Sequence, residues 1–212
     1  MVMQRRILFL FLLCSLISGV SAQSYRTFLA GTDEQRSNSL YGKGAIPRED
    51  GQIVYKEVFP LSGKSQEQVY NRAVNSLGKL FPKYMTRILS QDEANHVIRG
   101  EGKFEFTYSR GKLKKFSFPH QVKFYITIEC KEERYRIIMD NFFLIDQENN
   151  YVSDASNYAF SDKEALDQHG KVKNTNNGCK RIGIITSYLL VPHYFYKYMT
   201  EPVRKKVNDD EW

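Results

Sequence analysis

The chain has 212 residues, a length that corresponds to one domain with short appendages. Hydrophobic residues make up 42% and charged residues 26%, which excludes a disordered chain and an integral membrane protein. Lysine and arginine number 31 against 24 acidic residues, so the formal net charge is +7. The three cysteines are too few for a disulfide scaffold and lack the paired spacing of a zinc site.

The N-terminal segment has the three-part pattern of a secretory signal peptide. Arg5 and Arg6 precede the apolar run Ile7–Leu13, and small residues up to Ala22 follow that run. The apolar run is too short to span a bilayer, and Cys14 lacks the small preceding residue of a lipoprotein signal. We therefore predict that residues 1–22 are a signal peptide cleaved after Ala22, and that the protein is exported to the periplasm or cell envelope. The mature chain would have 29 basic and 24 acidic residues, a net charge of +5.

Export would place Cys130 and Cys179 in a compartment that permits disulfides. A bridge between them is one alternative, although sequence alone does not show whether their Cβ atoms meet. The other is that Cys130 is a core residue at the end of a strand and Cys179 is a separate thiol. We favour the second alternative because unpaired cysteine is commonly buried.

The mature chain begins with an irregular segment and continues with a strand and a helix. Residues 23–50 have balanced charges and no apolar period, so we predict a linker or a loosely attached arm. Gln52–Pro60 is rich in β-branched and aromatic residues and is predicted as a strand. Ser65 then offers an N-cap, and Gln68 completes a capping box. Apolar residues follow at helical spacing until Pro82, which is expected to end the helix.

Alternating apolar and polar residues predict further strands after this helix: Arg87–Ser90, His96–Tyr108, Gln121–Cys130 and Arg134–Ile145. Residues 131–133 form a tight connection between the last two. Period-2 alternation of this kind is typical of an antiparallel sheet with one covered face and one solvated face. The order of strand, helix, four strands and a further available helix predicts an α+β fold with helices packed on one face of the sheet.

The two faces of these strands differ in character. One face is apolar and carries Ile98, Phe104, Phe106 and Tyr108 on one strand, then Val122, Phe124, Ile126, Ile128 and Cys130 on the next. The other face carries a row that alternates in sign: Arg99, Glu101, Lys103 and Glu105. Such alternation indicates ion pairing on a solvated face rather than the continuous positive groove of a nucleic-acid platform. We therefore predict no nucleic-acid partner.

A set of short motifs lies between Gly44 and Asp146: Gly44-Ala45-Ile46-Pro47, Asp50-Gly51-Gln52-Ile53-Val54, Gly63-Lys64-Ser65, Tyr70-Asn71-Arg72-Ala73, Ile98-Arg99-Gly100-Glu101-Gly102 and Arg134-Tyr135-Arg136. With these motifs the segment resembles a family of exported Bacteroidota proteins described as a domain of unknown function with a TATA-binding-protein-like (TBP-like) fold. The resemblance implies the element order β-α-β-β-β-β-α for a domain at residues 51–146. That family carries no assigned activity, so the resemblance implies no functional residue, and fold analogy alone does not imply DNA binding.

The C-terminal third is predicted to be less regular. Residues 147–178 are a loop-rich insertion, and residues 179–212 are a helical segment. Ile182–Val191 is an apolar stretch predicted to end at Pro192, and His193–Val207 is a second, amphipathic stretch. The apolar stretch is too short to span a bilayer.

Aromatic and basic side chains in this helical segment are candidates for contact with a membrane surface or an envelope partner: Tyr194, Phe195, Tyr196, Tyr198, Arg204, Lys205 and Lys206. The alternative, which we favour, is that the apolar stretch is the final helix of the fold and packs on the sheet, and that the second stretch is a helix covering an edge. Attachment of the protein to a membrane or an envelope complex through this segment is therefore a second hypothesis for function.

A basic cluster in the loop that follows the predicted strand His96–Tyr108 is another candidate contact site: Arg110, Lys112, Lys114 and Lys115. The favoured interpretation is a solvated hairpin tip, and the functional alternative is contact with an acidic envelope protein, a glycan or lipid headgroups.

The sequence contains no catalytic constellation that we can identify. The four histidines are scattered and form no His-x-x-x-His pattern, and Gly100-Glu101-Gly102 lacks the third glycine of a dinucleotide loop. We therefore predict no metal site and no cofactor. The sequence favours an exported, non-catalytic binding or scaffolding protein of unknown ligand. A hydrolase whose residues gather only in space is a lesser alternative.

Overall fold

The computed structural model describes residues 41–81, 83–110, 116–146, 151–155 and 162–202. The first elements along the chain are strands β1 (Arg48–Glu49), β2 (Gln52–Ile53) and β3 (Tyr55–Pro60), followed by helix α1 (Gln66–Leu80). The next are strands β4 (Met85–Asp92), β5 (Val97–Arg110), β6 (Phe116–Lys131), β7 (Arg134–Asp146) and β8 (Tyr151–Asp154). The last are helices α2 (Asp162–Ala165) and α3 (Asn176–Thr200).

Six strands form one antiparallel sheet in the order β3-β7-β6-β5-β4, and β8 also pairs with β7. Strands β3 and β8 share one edge of β7, where β3 pairs with residues 134–139 and β8 with residues 143–146. Helices α1 and α3 contact each other and cover one face of the sheet. The predicted α+β class, with an antiparallel sheet and helices on one face, is confirmed. We call the opposite side the open face.

The predicted start of the first helix is confirmed in detail. The Ser65 hydroxyl accepts a hydrogen bond from the backbone N–H of Gln68 at 3.3 Å, and the Gln68 side chain accepts one from the N–H of Ser65 at 3.2 Å. This capping box satisfies two N–H groups that have no partner within the helix. The buried stripe of α1 then packs on the sheet with Val69, Tyr70, Ala73, Leu77 and Leu80.

The segment before β3 differs from its prediction. Gln52–Pro60 is interrupted at Val54, because β2 pairs with β1 in a small hairpin whereas β3 pairs with β7. The hairpin turns at Asp50 and Gly51, which both have positive φ angles, of 48° and 82°. The predicted arm, residues 23–50, therefore extends too far at its C-terminal end.

Residues 41–45 are also held in the fold by α3. The Arg181 guanidinium is 1% exposed, and its Nε donates to the carbonyl of Tyr41 at 2.7 Å. The Tyr188 hydroxyl donates to the carbonyl of Ala45 at 2.5 Å. Isolated buried charge is costly, so a buried guanidinium that donates to backbone carbonyls fixes this segment on the helix.

A β-bulge in β7 changes which of its residues face the core. Tyr135, Ile137 and Met139 are buried, but beyond Asn141 the buried positions are Phe142 and Leu144. Phe124 of β6 stands opposite both Asn141 and Phe142, and Asn141 has a φ of 50°. The extra residue shifts the alternation by one, so the apolar side chains on both sides of the bulge face the helices.

Helix α3 is one continuous helix, so the prediction that Pro192 ends the apolar segment is wrong. Proline lacks the N–H that would bond the carbonyl of Tyr188, at a cost of about 3 kcal/mol in a helix interior. Apolar side chains on both sides of the proline, including Leu189 and Phe195, are buried against the sheet. Tertiary packing thus outweighs the local preference.

Candidate partner-binding surface

The open face is formed by the outward-pointing residues of β4, β5, β6, β7 and β3. None of the described helices covers it, because α1 and α3 contact the side that carries Tyr135 and Phe106. Strands β5, β6 and β7 have 14, 16 and 13 residues, so this surface is roughly 45 Å long. It is therefore large enough to contact a macromolecule.

Ion pairs occupy much of this face. Arg87 of β4 pairs with Glu101 of β5 at 3.0 Å, and Lys103 pairs with Glu105 at 2.8 Å. Gln121 of β6 also donates to Glu105, at 3.1 Å. The hydrogen bond from Lys103 lowers the pKa of the Glu105 carboxyl. The alternating charges on this strand thus neutralise one another, as their pattern in the sequence indicates.

The end of the face at the β6–β7 turn is different. Lys131 lies directly opposite Arg134, and the next pair on the same face of the sheet is Glu129 with Arg136. Glu129 accepts from Arg136 Nε at 2.7 Å, which neutralises that pair. Within the described part of the chain, the side chains of Lys131 and Arg134 make no ion pair or hydrogen bond with another residue. We call Lys131, Arg134 and Arg136 the basic hairpin end.

A shallow depression of about 210 Å³ lies at the basic hairpin end. It is lined by Val58, Glu129, Lys131, Arg134, Tyr135 and Arg136. Val58 stands opposite Arg136 on the edge strand β3, and 52% of its surface is exposed. The depression therefore combines an apolar side chain with a cationic rim.

A buried carboxyl lies on the covered face, on the other side of the same strand. Glu57 of β3 is 7% exposed and accepts a hydrogen bond from the Tyr55 hydroxyl. Burial raises the pKa of Glu57 from 4.5 to about 7. The hydroxyl of Tyr135 is also buried and makes no hydrogen bond in the structure. These groups form a titratable cluster inside the fold that solvent reaches poorly.

Residues 55–144 match the family model described as a domain of unknown function (DUF4468) with TBP-like fold. The match covers 90 of the 212 residues, and it shows that this segment has the TBP-like fold. None of the curated proteins gives a significant match to the chain.

Two solved structures are similar to this protein. A DUF4468 family protein from Bacteroides ovatus is 21% identical, with a TM-score of 0.64 over 82% of this chain and 99% of that one. A TBP-like protein from Parabacteroides distasonis is 9% identical, with a TM-score of 0.51 over 74% of this chain and 99% of that one. At these identities the likeness shows the fold, and the comparisons indicate no catalytic family.

The aromatic residues proposed for membrane contact pack within the TBP-like fold. Phe195 is fully buried, and its ring meets the Tyr135 ring edge to face, with the ring centroids 5.5 Å apart. The hypothesis that Phe195 contacts a membrane or a partner is therefore wrong. The ring of Tyr194 stacks on that of Tyr84 with the centroids 5.3 Å apart, and the centroids of Tyr196 and Phe59 are 5.7 Å apart. They face the core because α3 continues through Pro192 and keeps one side on the sheet.

Tyr198 is half-buried under the ammonium of Lys79, which lies 5.4 Å from its ring centroid. Arg204, Lys205 and Lys206 lie outside the described residues. None of the described helices is long and apolar enough to cross a membrane.

The predicted basic cluster is only partly placed. Arg110 is the last residue of β5, whereas Lys112, Lys114 and Lys115 lie outside the described residues. The basic hairpin end is a second group of basic residues, and the sequence analysis did not predict it. The sequence did contain its signal, since a two-residue turn at Glu132 and Glu133 necessarily pairs Lys131 with Arg134.

No disulfide joins Cys130 and Cys179. Cys130 is buried at the end of β6, and burial raises the pKa of its thiol to about 12. Cys179 is half-buried in the first turns of α3. Across the described part of the chain, no group of three His, Cys, Asp or Glu side chains could hold a metal ion.

Proposed function

We propose that the protein is an exported, non-catalytic binding or scaffolding module of the cell envelope that contacts its partner through the open face of the sheet. The observation that carries this proposal is the asymmetry of the sheet. Two helices cover one face, whereas the other presents long strands with interspersed charges and no covering element among the described residues. An uncovered sheet face of this length is a natural platform for a macromolecular partner.

Export is supported by the sequence of residues 1–22, with its basic start, apolar run and small residues before Ala22. Export would bring the open face into contact with envelope proteins, glycans and lipid headgroups and away from most nucleic acid.

A binding role is favoured over catalysis by the chemistry of the described residues. The strongly shifted carboxyl, Glu57, is buried beneath the sheet, where a substrate does not reach it without local opening. The open face carries carboxylates that ion pairs neutralise, such as Glu101 and Glu129, rather than a general base beside a nucleophile.

The helix face is a weaker candidate for the partner surface. Its aromatic side chains are engaged in packing, and α3 uses Phe195 and Met199 to cover the sheet. Membrane attachment through this segment would therefore require side chains that already stabilise the fold.

Export can be tested by expressing the full chain in a Bacteroides host and measuring the mass of the product in the periplasmic fraction. We expect the mass of a chain that begins at Gln23. A full-length product that stays in the cytoplasm would contradict the proposal.

The partner surface can be tested with a photo-crosslinking amino acid at Thr127, in the middle of the open face, and at Asn75 on α1 as the control. We expect a discrete product from Thr127 in envelope extracts, reproduced with the purified partner, and none from Asn75. A product from Asn75 alone would place the partner on the helix layer and overturn the assignment.

A further inference from the structure

We propose that the basic hairpin end is the contact centre of the open face, and that Lys131 and Arg134 bind a carboxylate of an acidic peptide segment in a protein partner. This inference rests on the proposed binding function and names the site and its ligand chemistry. The ligand is an acidic side chain next to an apolar one.

The fold does not offset the electrostatic cost of placing Lys131 opposite Arg134. Like charges directly opposite each other on paired strands are destabilising. The sheet contains a second such pair, Lys103 opposite Lys123, but there Lys103 binds Glu105. Among the residues that the structure describes, no acid pairs with Lys131 or Arg134 in this way, so an external carboxylate would supply the opposite charge.

The acids near the basic hairpin end are already engaged or poorly placed. Glu129 binds Arg136, and the Glu133 carboxylate accepts the backbone N–H of Gly63 at 2.9 Å. Glu132 lies exposed in the turn itself. These bonds leave the Lys131–Arg134 pair as the cationic group that faces solvent at this end.

The shape of the site also fits a short peptide segment. A volume of about 210 Å³ suits one or two side chains rather than a folded element. Val58 supplies an exposed apolar surface inside the cationic rim, which fits an apolar residue beside the acid. The planar guanidinium of Arg134 can bind both oxygens of one carboxylate.

A peptide is favoured over an anionic bilayer. Glu132 and Glu133 lie in the turn beside the site, so the electrostatic field changes sign over a short distance and would repel a uniformly negative surface. A single carboxylate held at hydrogen-bond distance avoids these acids.

The direct test is titration of the isotope-labelled mature chain with a peptide of alternating glutamate and valine, followed by amide NMR shifts. We expect saturable shifts centred on residues 129–136 and Val58, and none with a glutamine–valine peptide. Shifts spread evenly over all basic residues of the face would overturn the inference.

The decisive variant is Lys131→Glu, with Lys123→Glu as a matched control that makes the same charge change on the same face. The new carboxylate would pair with Arg134 across the strands, so this variant should raise the midpoint of thermal unfolding and weaken peptide binding at least about tenfold. Lys123→Glu should change binding less than about twofold. A merely structural role would not give higher stability together with lost binding.

The remaining outcomes separate this inference from the proposed function. Arg134→Gln should weaken peptide binding without preventing folding, and unchanged binding would reject the site. Binding of phosphatidylglycerol vesicles but not of the peptide would show a lipid surface instead. A crosslink from Thr127 that survives in Lys131→Glu would leave the open face as the partner surface and reject the basic hairpin end as its centre.

Discussion

The Glu57 carboxyl accepts its hydrogen bond from Tyr55, two residues away on the same strand and on the same covered face of the sheet. Both side chains point toward the helices because residues two apart on a strand share a face. The acid is thus held in the interior with a neutral phenol as its partner. Burial of this kind favours the protonated carboxyl.

Glu57 should make the stability of the protein depend on pH. The pKa is raised from 4.5 to about 7, so the stabilisation is complete below pH 4.5 and is lost as the pH rises through 7. Glu57→Gln should be as stable as the parent at pH 4 and more stable at pH 8, by up to about 3 kcal/mol. Urea unfolding followed by circular dichroism at both pH values measures the difference.

The control for that experiment is Glu105→Gln, because the Lys103 hydrogen bond lowers the pKa of Glu105 and gives the opposite sign. A Glu57→Gln variant that loses stability at pH 8 would show that the carboxylate is stabilised by groups that the structure does not reveal.

Lys131→Glu should stabilise the protein. It replaces a cross-strand pair of like charges with an opposite-charge pair to Arg134, which is worth about 0.2–1 kcal/mol. The gain should shrink in 1 M salt, because the pair is exposed. Thermal unfolding at low and high salt provides the measurement, and an unchanged midpoint at low salt would indicate that the pair is already neutralised.

Gly102 leaves room for a core ring, so Gly102→Ala should destabilise the sheet. A Cβ at this position would lie 2.3 Å from the Phe124 ring and 2.9 Å from the carbonyl oxygen of Tyr84. We expect a loss of about 1–3 kcal/mol in the free energy of unfolding. Gly78→Ala is the opposite control, because nothing lies within 4 Å of its position in α1. It should gain about 0.5–1 kcal/mol.

Arg72 of α1 fixes the C-terminal end of α3. It donates to the carbonyls of Met199 and Glu201 at 2.9 and 3.1 Å. Arg72→Met should lose about 1–3 kcal/mol, because both carbonyls lose a charged donor. Lys79→Met removes an exposed ion pair with Glu201 and should cost under about 1 kcal/mol. Equal losses in the two variants would argue against a specific role for Arg72.

The thiols of Cys130 and Cys179 should differ in reactivity. Cys130 is 2% exposed and its pKa is raised to about 12, so a thiol reagent should reach it only on unfolding. Cys179 is half-buried and should react in the native protein. Ellman's assay without reductant should count two thiols in the denatured chain that begins at Gln23. The Cys130→Ala variant of that chain is the reference for a single thiol. A count of zero would show a disulfide.

Much of the fold could be predicted because local signals agreed with the tertiary structure. The capping box at Ser65 and the alternation in β5 and β6 each point to one structure. Asn141 is the exception within the sheet, since its positive φ creates a bulge that periodicity alone does not reveal. Pro192 is the exception among the helices, because burial on both sides outweighs its cost.

The depression at the basic hairpin end was harder to predict. Its residues come from β3, β6 and β7, and the contact between Val58 and the basic hairpin end depends on β3 pairing with a strand far away in sequence. The aromatic run at Tyr194 has the composition of a helix at a membrane surface. Only the path of α3 over the sheet shows that these side chains pack against the core.

The buried Arg181 has a consequence for the order in which the chain acquires its structure. It ties α3 to the carbonyls of Tyr41 and Gly42, so the described chain is closed by bonds between segments about 140 residues apart. Such distant closure slows folding, because loop entropy is lost before the contacts form. During synthesis or passage through a membrane, the first strands would emerge long before their clamp, and the domain would be completed only when its last helix arrives.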